Sequence, residues 1–148
     1  MRQRFTKSAR GSALCFAASV AALVCGAVTY LLFRRDTYLH TLLRRVFGTV
    51  PQALPKNNLL AFIAANWLGD FFWGLALGLM LFAVLGAFRR RALFAFWGTV
   101  SVGVVFELLQ KAGLVHGTFD LWDMAAEGFG ALLAVAFGCW VQKKEDNL

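Results

Sequence analysis

The sequence predicts an all-α membrane protein of four transmembrane helices, with an interfacial amphipathic helix between the first and the second. Three observations predict it. The 148-residue chain is 59% hydrophobic and only 16% charged, with a mean hydropathy of +0.64, a balance that suits an integral membrane domain rather than a soluble globule. Four apolar runs each approach the ~20 residues needed to cross a ~30 Å hydrocarbon core. The basic residues lie between those runs, whereas five of the eight acids, Asp70, Glu107, Asp120, Asp123 and Glu127, sit inside or beside them. Residues 1–148 are expected to form one domain, with no stretch left over for a second.

The first span is placed at 13–33. Its basic prelude (Arg2, Arg4, Lys7, Arg10) resembles that of a signal peptide, but the apolar stretch has full span length and meets Arg34 and Arg35 without a small-x-small cleavage site. Val24 is a poor residue to precede a lipid-modified Cys25. The segment 36–48 then reads as an amphipathic helix. Asp36 is a candidate N-cap and Gly48 a candidate stop, and Tyr38, Leu39, Leu42, Leu43, Val46 and Phe47 form an apolar stripe opposite His40, Thr41, Arg44 and Arg45. Such a helix rests in the membrane interface. Pro51 and Pro55 break the chain, and 57–65 leads back as a helical piece or an extension of the next span.

The remaining spans are placed at 66–88, 92–110 and 121–141. Gly74 and Gly78 make a small-xxx-small pair in the second, and Gly130, Ala134 and Gly138 continue one along the fourth. These are packing features, which let helix backbones approach closely.

Lys and Arg placement orients the chain. With the N-terminus in the cytoplasm, nine basic residues fall on the inner segments (Arg2, Arg4, Lys7, Arg10, Arg89, Arg90, Arg91, Lys143, Lys144) and six on the longer outer ones (Arg34, Arg35, Arg44, Arg45, Lys56, Lys111). Both termini are therefore expected inside. Trp67 and Trp122 would mark the outer interface and Trp140 the inner one. The 18 residues from Trp122 to Trp140 span about 27 Å of helix, which matches a membrane thickness.

This threading gathers the acids. Asp70 opens the second span, Glu107 lies near the end of the third, and Asp123 and Glu127 occupy the first two turns of the fourth, so all four reach the outer end. Asp120, Asp123 and Glu127 are spaced by three and four, the spacing of one helix face, and Gln110 stands in the same relation to Glu107. A structural explanation exists for each acid: Glu107 pairing with Lys111, Asp70 with Arg44 or Arg45, and Asp120 capping the fourth helix. For Asp120 capping is the favoured role. A carboxylate costs about 2.5–3.5 kcal/mol at a helix centre on insertion scales, so three gathered in an apolar bundle exceed what packing requires. Glu107, Asp123, Glu127 and Asp70 are therefore the candidate catalytic cluster, with Gln110, Asp120, Arg44 and Arg45 as candidate ligand-binding residues. The arginines would reach a phosphate head group beside the pocket. The acids would accept hydrogen bonds from ligand hydroxyl or amine groups, or share a proton so that one serves as a general acid.

Other chemistries are not indicated. The sequence contains no phosphate-binding glycine loop, Ser-His-Asp set, dinucleotide fingerprint or Cys-His zinc pattern, and no cofactor or metal is expected. His40 and His116 are isolated, and Cys15, Cys25 and Cys139 are small membrane-buried side chains without paired spacing. The net charge of +7 reflects the flanks of apolar segments, where it sets topology and touches anionic lipid, so membrane lipids rather than nucleic acid are the expected partners.

The run Glu107-Leu-Leu-Gln110, a short loop, then Gly117-Thr118-Phe119-Asp120-Leu-Trp-Asp123-Met-Ala-Ala-Glu127-Gly-Phe-Gly130 resembles the VanZ-like family. Its members carry Glu-x-x-Gln at the end of one span, a turn, an Asp opening the next and a Gly one helical face later. Four spans, both termini inside and a polar opening to the second span agree, and the resemblance covers 66–138. It departs in two places. Many members have Asp-Lys-x-x-His-Phe where this chain has Asn66-Trp-Leu-Gly-Asp70-Phe71, and Asn where this chain has Glu127, so histidine chemistry does not carry over. The resemblance implies a protein of the bacterial inner membrane, in a family whose best-known member gives low-level resistance to the glycopeptide teicoplanin. The expected function is to bind or act on a lipid-linked or amphiphilic ligand, such as a cell-envelope precursor or glycopeptide antibiotic, at an outward-facing acidic pocket. A proton-coupled transporter and an accessory or assembly subunit of a membrane complex are the alternatives.

Overall fold

A computed structural model describes residues 2–33, 38–48, 54–55, 57–86, 90–115 and 118–147. Among them all regular structure is helical: α1 (Arg2–Phe33), α2 (Tyr38–Phe47), α3 (Leu59–Ile63), a π-helical turn (Ala64–Leu68), α4 (Gly69–Val84), α5 (Arg91–Lys111) and α6 (Leu121–Asp146). Four helical stretches are long and apolar enough to cross a membrane, Arg10–Phe33, Leu59–Val84, Arg91–Lys111 and Leu121–Glu145, of 24, 26, 21 and 25 residues. At 1.5 Å per residue each covers at least ~30 Å. The chain is a multi-pass membrane protein.

The bundle is built inside out relative to a soluble protein. Most of its buried side chains are small, among them Cys15, Ser19, Ala22, Ala76, Ala95, Thr99, Ala131 and Ala134, with Leu79 and Phe82 the large buried apolar groups, while Leu14, Phe16, Leu93, Phe94, Trp97, Phe129 and Leu132 are exposed. Large apolar groups turned outward suit a hydrocarbon solvent, in which helix association depends on close backbone approach rather than on burying bulk.

The parallel pair α4 and α6 forms the centre, flanked by α1 and α5. The two small-residue faces expected from the sequence meet each other here. A Cβ on Gly74 would lie 2.1 Å from the Glu127 carbonyl oxygen, one on Gly130 2.2 Å from that of Phe71, and one on Gly78 2.7 Å from the Ala134 Cβ. Helix α1 runs antiparallel to α4 and is pinned by the Ser19 hydroxyl, which donates to the Ala76 carbonyl at 2.7 Å. The other buried hydroxyls stay local: Thr29 donates to the Cys25 carbonyl and Thr99 to that of Ala95, each at 2.8 Å. At the end of the bundle away from the acids, the Arg91 guanidinium lies 4.3 Å over the Phe82 ring and donates to the Gly86 carbonyl.

Element boundaries differ from the sequence reading where polar residues continue or begin helices. The span placed at 66–88 is preceded by the helical extension expected over 57–65, which begins at Leu59 because the Ala61 N–H donates to Asn58 Oδ1 at 2.8 Å and caps the helix there. One π turn joins this piece to α4, so 59–84 is continuous. Helix α6 continues past 141 through Gln142, Lys143, Lys144 and Glu145, all straight-chain residues that favour helix. The expected helix after the first span is present as α2, and Gly48 ends it at φ +73 with its N–H donating to the Arg44 carbonyl at 3.0 Å. Its expected cap Asp36 lies outside the described residues, as do Pro51, His116 and Gly117.

Candidate functional site at the acidic end

Four helices deliver polar side chains to one end of the bundle. Helix α5 ends in a Schellman turn. Gly113 adopts φ +70, its N–H donates to the Gln110 carbonyl at 2.9 Å, and the Leu114 N–H donates to that of Leu109 at 2.9 Å. This stop leaves Glu107 and Gln110 in the last turns of α5. On α6, Asp120 is the N-cap, its Oδ1 accepting from the Trp122 N–H at 2.9 Å. The Asp120 N–H donates in turn to Glu107 Oε2 at 2.8 Å. One acid thus starts α6 while its own backbone ties α6 to α5.

Asp70 sits in the first turn of α4, just beyond the π turn. The Tyr30 hydroxyl of α1 donates to its Oδ1 at 2.9 Å, the tyrosine ring passing over the bare backbone of Gly69, where a Cβ would lie 2.8 Å from Tyr30 Cε2. A tyrosine near the end of the first span thereby meets an acid for which the sequence suggested Arg44 or Arg45. Those two arginines are exposed in the last turn of α2.

Glu127 is the centre of the site. It is 7% exposed, as is Glu107, and its backbone abuts Gly74, one turn beyond Asp70 on α4, while its carboxylate faces Gly103, one turn before Glu107 on α5. Its carboxylate occupies the space left by Gly103 on α5, where a Cβ would lie 2.0 Å from Oε2 and 2.5 Å from Cδ. Its Oε1 is buried and has no hydrogen-bond partner among the described residues. Desolvating a carboxylate without a matching donor carries a cost of several kcal/mol, and here it is incurred between two further acids. Gln110 Oε1 and Trp67 Nε1 are likewise buried without a partner among the described residues. The Trp67 ring packs against Phe62 and Trp122, with centroids 5.9 Å away in each case.

The expected site residues therefore divide. Asp70, Glu107 and Glu127 converge, Asp120 is bonded to Glu107, and Asp123 lies half-buried one turn before Glu127. Lys111, suggested as a partner for Glu107, holds its Nζ 5.2 Å over the Phe119 ring instead. Tyr30, Gly103 and the π turn were not singled out from the sequence. A π turn inserts one extra residue per turn and often accompanies functional sites, but no composition cue announces it at Ala64–Leu68. Among the described residues no group of three His, Cys, Asp or Glu side chains could hold a metal ion.

Comparison with known proteins gives no match: no family model, no curated protein and no solved structure matches this chain.

Proposed function

We propose that the chain is a bacterial inner-membrane protein of VanZ-like character, with both termini cytoplasmic, whose acidic end faces outward and binds the polar head of an amphiphilic or lipid-linked ligand. Such a ligand would be a cell-envelope precursor or a glycopeptide antibiotic. Helix α2 would rest in the outer interface on its apolar stripe, with Arg44 and Arg45 beside the pocket. The observation that carries the reading is Glu127, a buried carboxylate with an oxygen that meets no donor among the described residues. Intramembrane carboxylates kept at such cost serve ligand or ion sites by default.

Two features weigh against the alternatives. A proton relay needs polar groups along the bundle, yet Ser19, Thr29 and Thr99 each donate to a backbone carbonyl within it. An accessory subunit would present its small-residue faces to a partner, yet Gly74 and Gly78 face Gly130 and Ala134 within this chain.

Glu107→Gln and Asp123→Asn are expected to leave the protein inserted and folded, because the amide introduced by Glu107→Gln would keep an oxygen for the Asp120 N–H and both amides preserve shape. Each is expected to lose most of the amphiphile retained through purification, measured by mass spectrometry of extracted lipid. Wild-type retention in both variants would remove the cluster from the binding reading. The orientation is checked separately in a cysteine-free background. Thr118→Cys is expected to react with an impermeant thiol reagent in intact cells and Asn147→Cys to react only after lysis; the reverse pattern would turn the acidic end to the cytoplasm.

A further inference from the structure

The two ends of the bundle differ in charge. The segments leading into and out of the acidic end hold six basic residues and six acids, whereas those at the opposite end hold nine basic residues (Arg2, Arg4, Lys7, Arg10, Arg89, Arg90, Arg91, Lys143, Lys144) and two acids, Glu145 and Asp146. The whole net charge of +7 therefore belongs to the end that carries both termini. Arg10, Arg90, Lys143 and Lys144 are exposed there, and charge of one sign concentrated in this way draws ligands of the other.

On α6 this charge meets an apolar stripe. Phe129, Leu133, Phe137, Trp140 and Lys144 follow one another at spacings of four, four, three and four, which keeps them on one side of a helix, and all five are exposed. Phe137 and Trp140 pack with ring centroids 5.8 Å apart, and the Lys144 ammonium folds back to 5.4 Å from the centroid of the Trp140 ring. The neighbouring acid is turned elsewhere. The Glu145 carboxylate lies against α1, where a Cβ on Gly11 would be 2.6 Å from its Oε2. From Phe129 to Trp140 the stripe runs for about 16 Å, close to the half of a ~30 Å hydrocarbon core that one leaflet fills. It ends in an indole, a ring that settles at the head-group level of a bilayer, and in an ammonium with three N–H donors.

We infer that this face of α6 is a site for an anionic phospholipid of the leaflet opposite the acidic end. One acyl chain lies along Phe129, Leu133 and Phe137, and the phosphate sits at Lys144 beside Trp140, with Lys143 adding charge from the next position. A zwitterionic lipid brings its own cation to the phosphate and gains little from the positive field of this end, whereas a lipid of net negative charge gains from each basic residue near it. The inference is independent of the ligand reading at the acidic end, so either can fail without the other.

The test uses the full chain purified in a neutral maltoside detergent and titrated with dioleoyl phosphatidylglycerol or dioleoyl phosphatidylcholine, which differ only in the head group. Binding is read from lipid adducts in native mass spectrometry and from the thermal unfolding midpoint. Phosphatidylglycerol is expected to saturate both signals and phosphatidylcholine to saturate neither. Lys144→Gln is expected to weaken half-saturation by phosphatidylglycerol about fivefold, the contribution of one basic residue near an anionic surface, and to leave the lipid-free unfolding midpoint unchanged because the side chain is exposed. Lys111→Gln is the matched control. It too removes an exposed lysine whose ammonium lies over an aromatic ring, 5.2 Å from the Phe119 centroid, but at the acidic end, and it is expected to leave phosphatidylglycerol binding unchanged. Phosphatidylcholine saturating as tightly as phosphatidylglycerol overturns the inference with no variant needed. Unchanged binding in Lys144→Gln, or a loss in Lys111→Gln as large as in Lys144→Gln, overturns it as well, since binding would then not depend on this face of α6.

Discussion

Replacing Gly74 with leucine is expected to abolish accumulation of folded protein, and even Gly74→Ala to cost about 3 kcal/mol or more. The added Cβ would lie 2.1 Å from the Glu127 carbonyl oxygen and 2.8 Å from the Glu127 Cα. Both are backbone atoms, so no rotamer change can make room and α4 has to move off α6. That movement would also loosen the contacts further along the same face, where Gly78 meets Ala134 and Gly138 meets the Phe82 ring. Folded proteins are stable by only about 5–15 kcal/mol, so one such change consumes a large share of the margin. Gly128→Ala is the matched control, because nothing lies within 4 Å of the Cβ position there. It is expected to be neutral or to stabilise by up to about 1 kcal/mol through helix propensity. Thermal unfolding and size-exclusion profiles of the purified variants check both. A Gly74→Leu protein that accumulates and melts like Gly128→Ala would mean that α4 and α6 are not in backbone contact.

The four spans were legible because hydropathy over ~20 residues reports the hydrocarbon solvent directly. The meeting of Asp70, Glu107 and Glu127 was legible too, since antiparallel threading alone brings the start of the second span, the end of the third and the start of the fourth to one end. Beyond depth, the sequence says less. Which atoms touch depends on the rotation of each helix about its axis, and helices that are apolar all round carry little amphipathic signal to set it. Hence the sequence offers arginines of the loop as partners for Asp70, whereas Tyr30, forty residues away on α1, donates to it at 2.9 Å. Gly103 looks in the sequence like any membrane glycine, and only the register of α5 against α6 makes it the space for a carboxylate. Asp120 was more legible, because capping follows from local sequence: an acid immediately before a helical run, with its oxygen two residues from the amide it accepts from. The helical approach to the second span was legible too, since 57–65 reads as a helical piece or an extension of that span, and the helix begins at Leu59 with Asn58 as its cap.

The coupling between Gly103 and Glu127 gives the second large effect, and it separates packing from charge. Gly103→Ala is expected to destabilise the protein by about 1–3 kcal/mol, since its Cβ would fall 2.0 Å from Glu127 Oε2 and 2.5 Å from Cδ. Glu127 has little room to rotate its carboxylate away, because the residue is 7% exposed. In a Glu127→Ala background the obstructing carboxylate is gone, so the same Gly103→Ala change adds a methyl group to vacated space and gains about 0.5–1 kcal/mol of helix propensity. A double-mutant cycle on unfolding free energies should then return a coupling of about 2 kcal/mol or more, in the sense that the second substitution relieves the first. Retention of amphiphile should follow a different pattern. It is expected to fall in Gly103→Ala, where the carboxylate is displaced, and in Glu127→Ala, where it is absent, and not to recover in the double variant even though stability does. Additive stability effects would mean that the Glu127 side chain does not occupy the Gly103 gap. Recovery of ligand retention along with stability would mean that the carboxylate fills space at this end of the bundle without binding anything there.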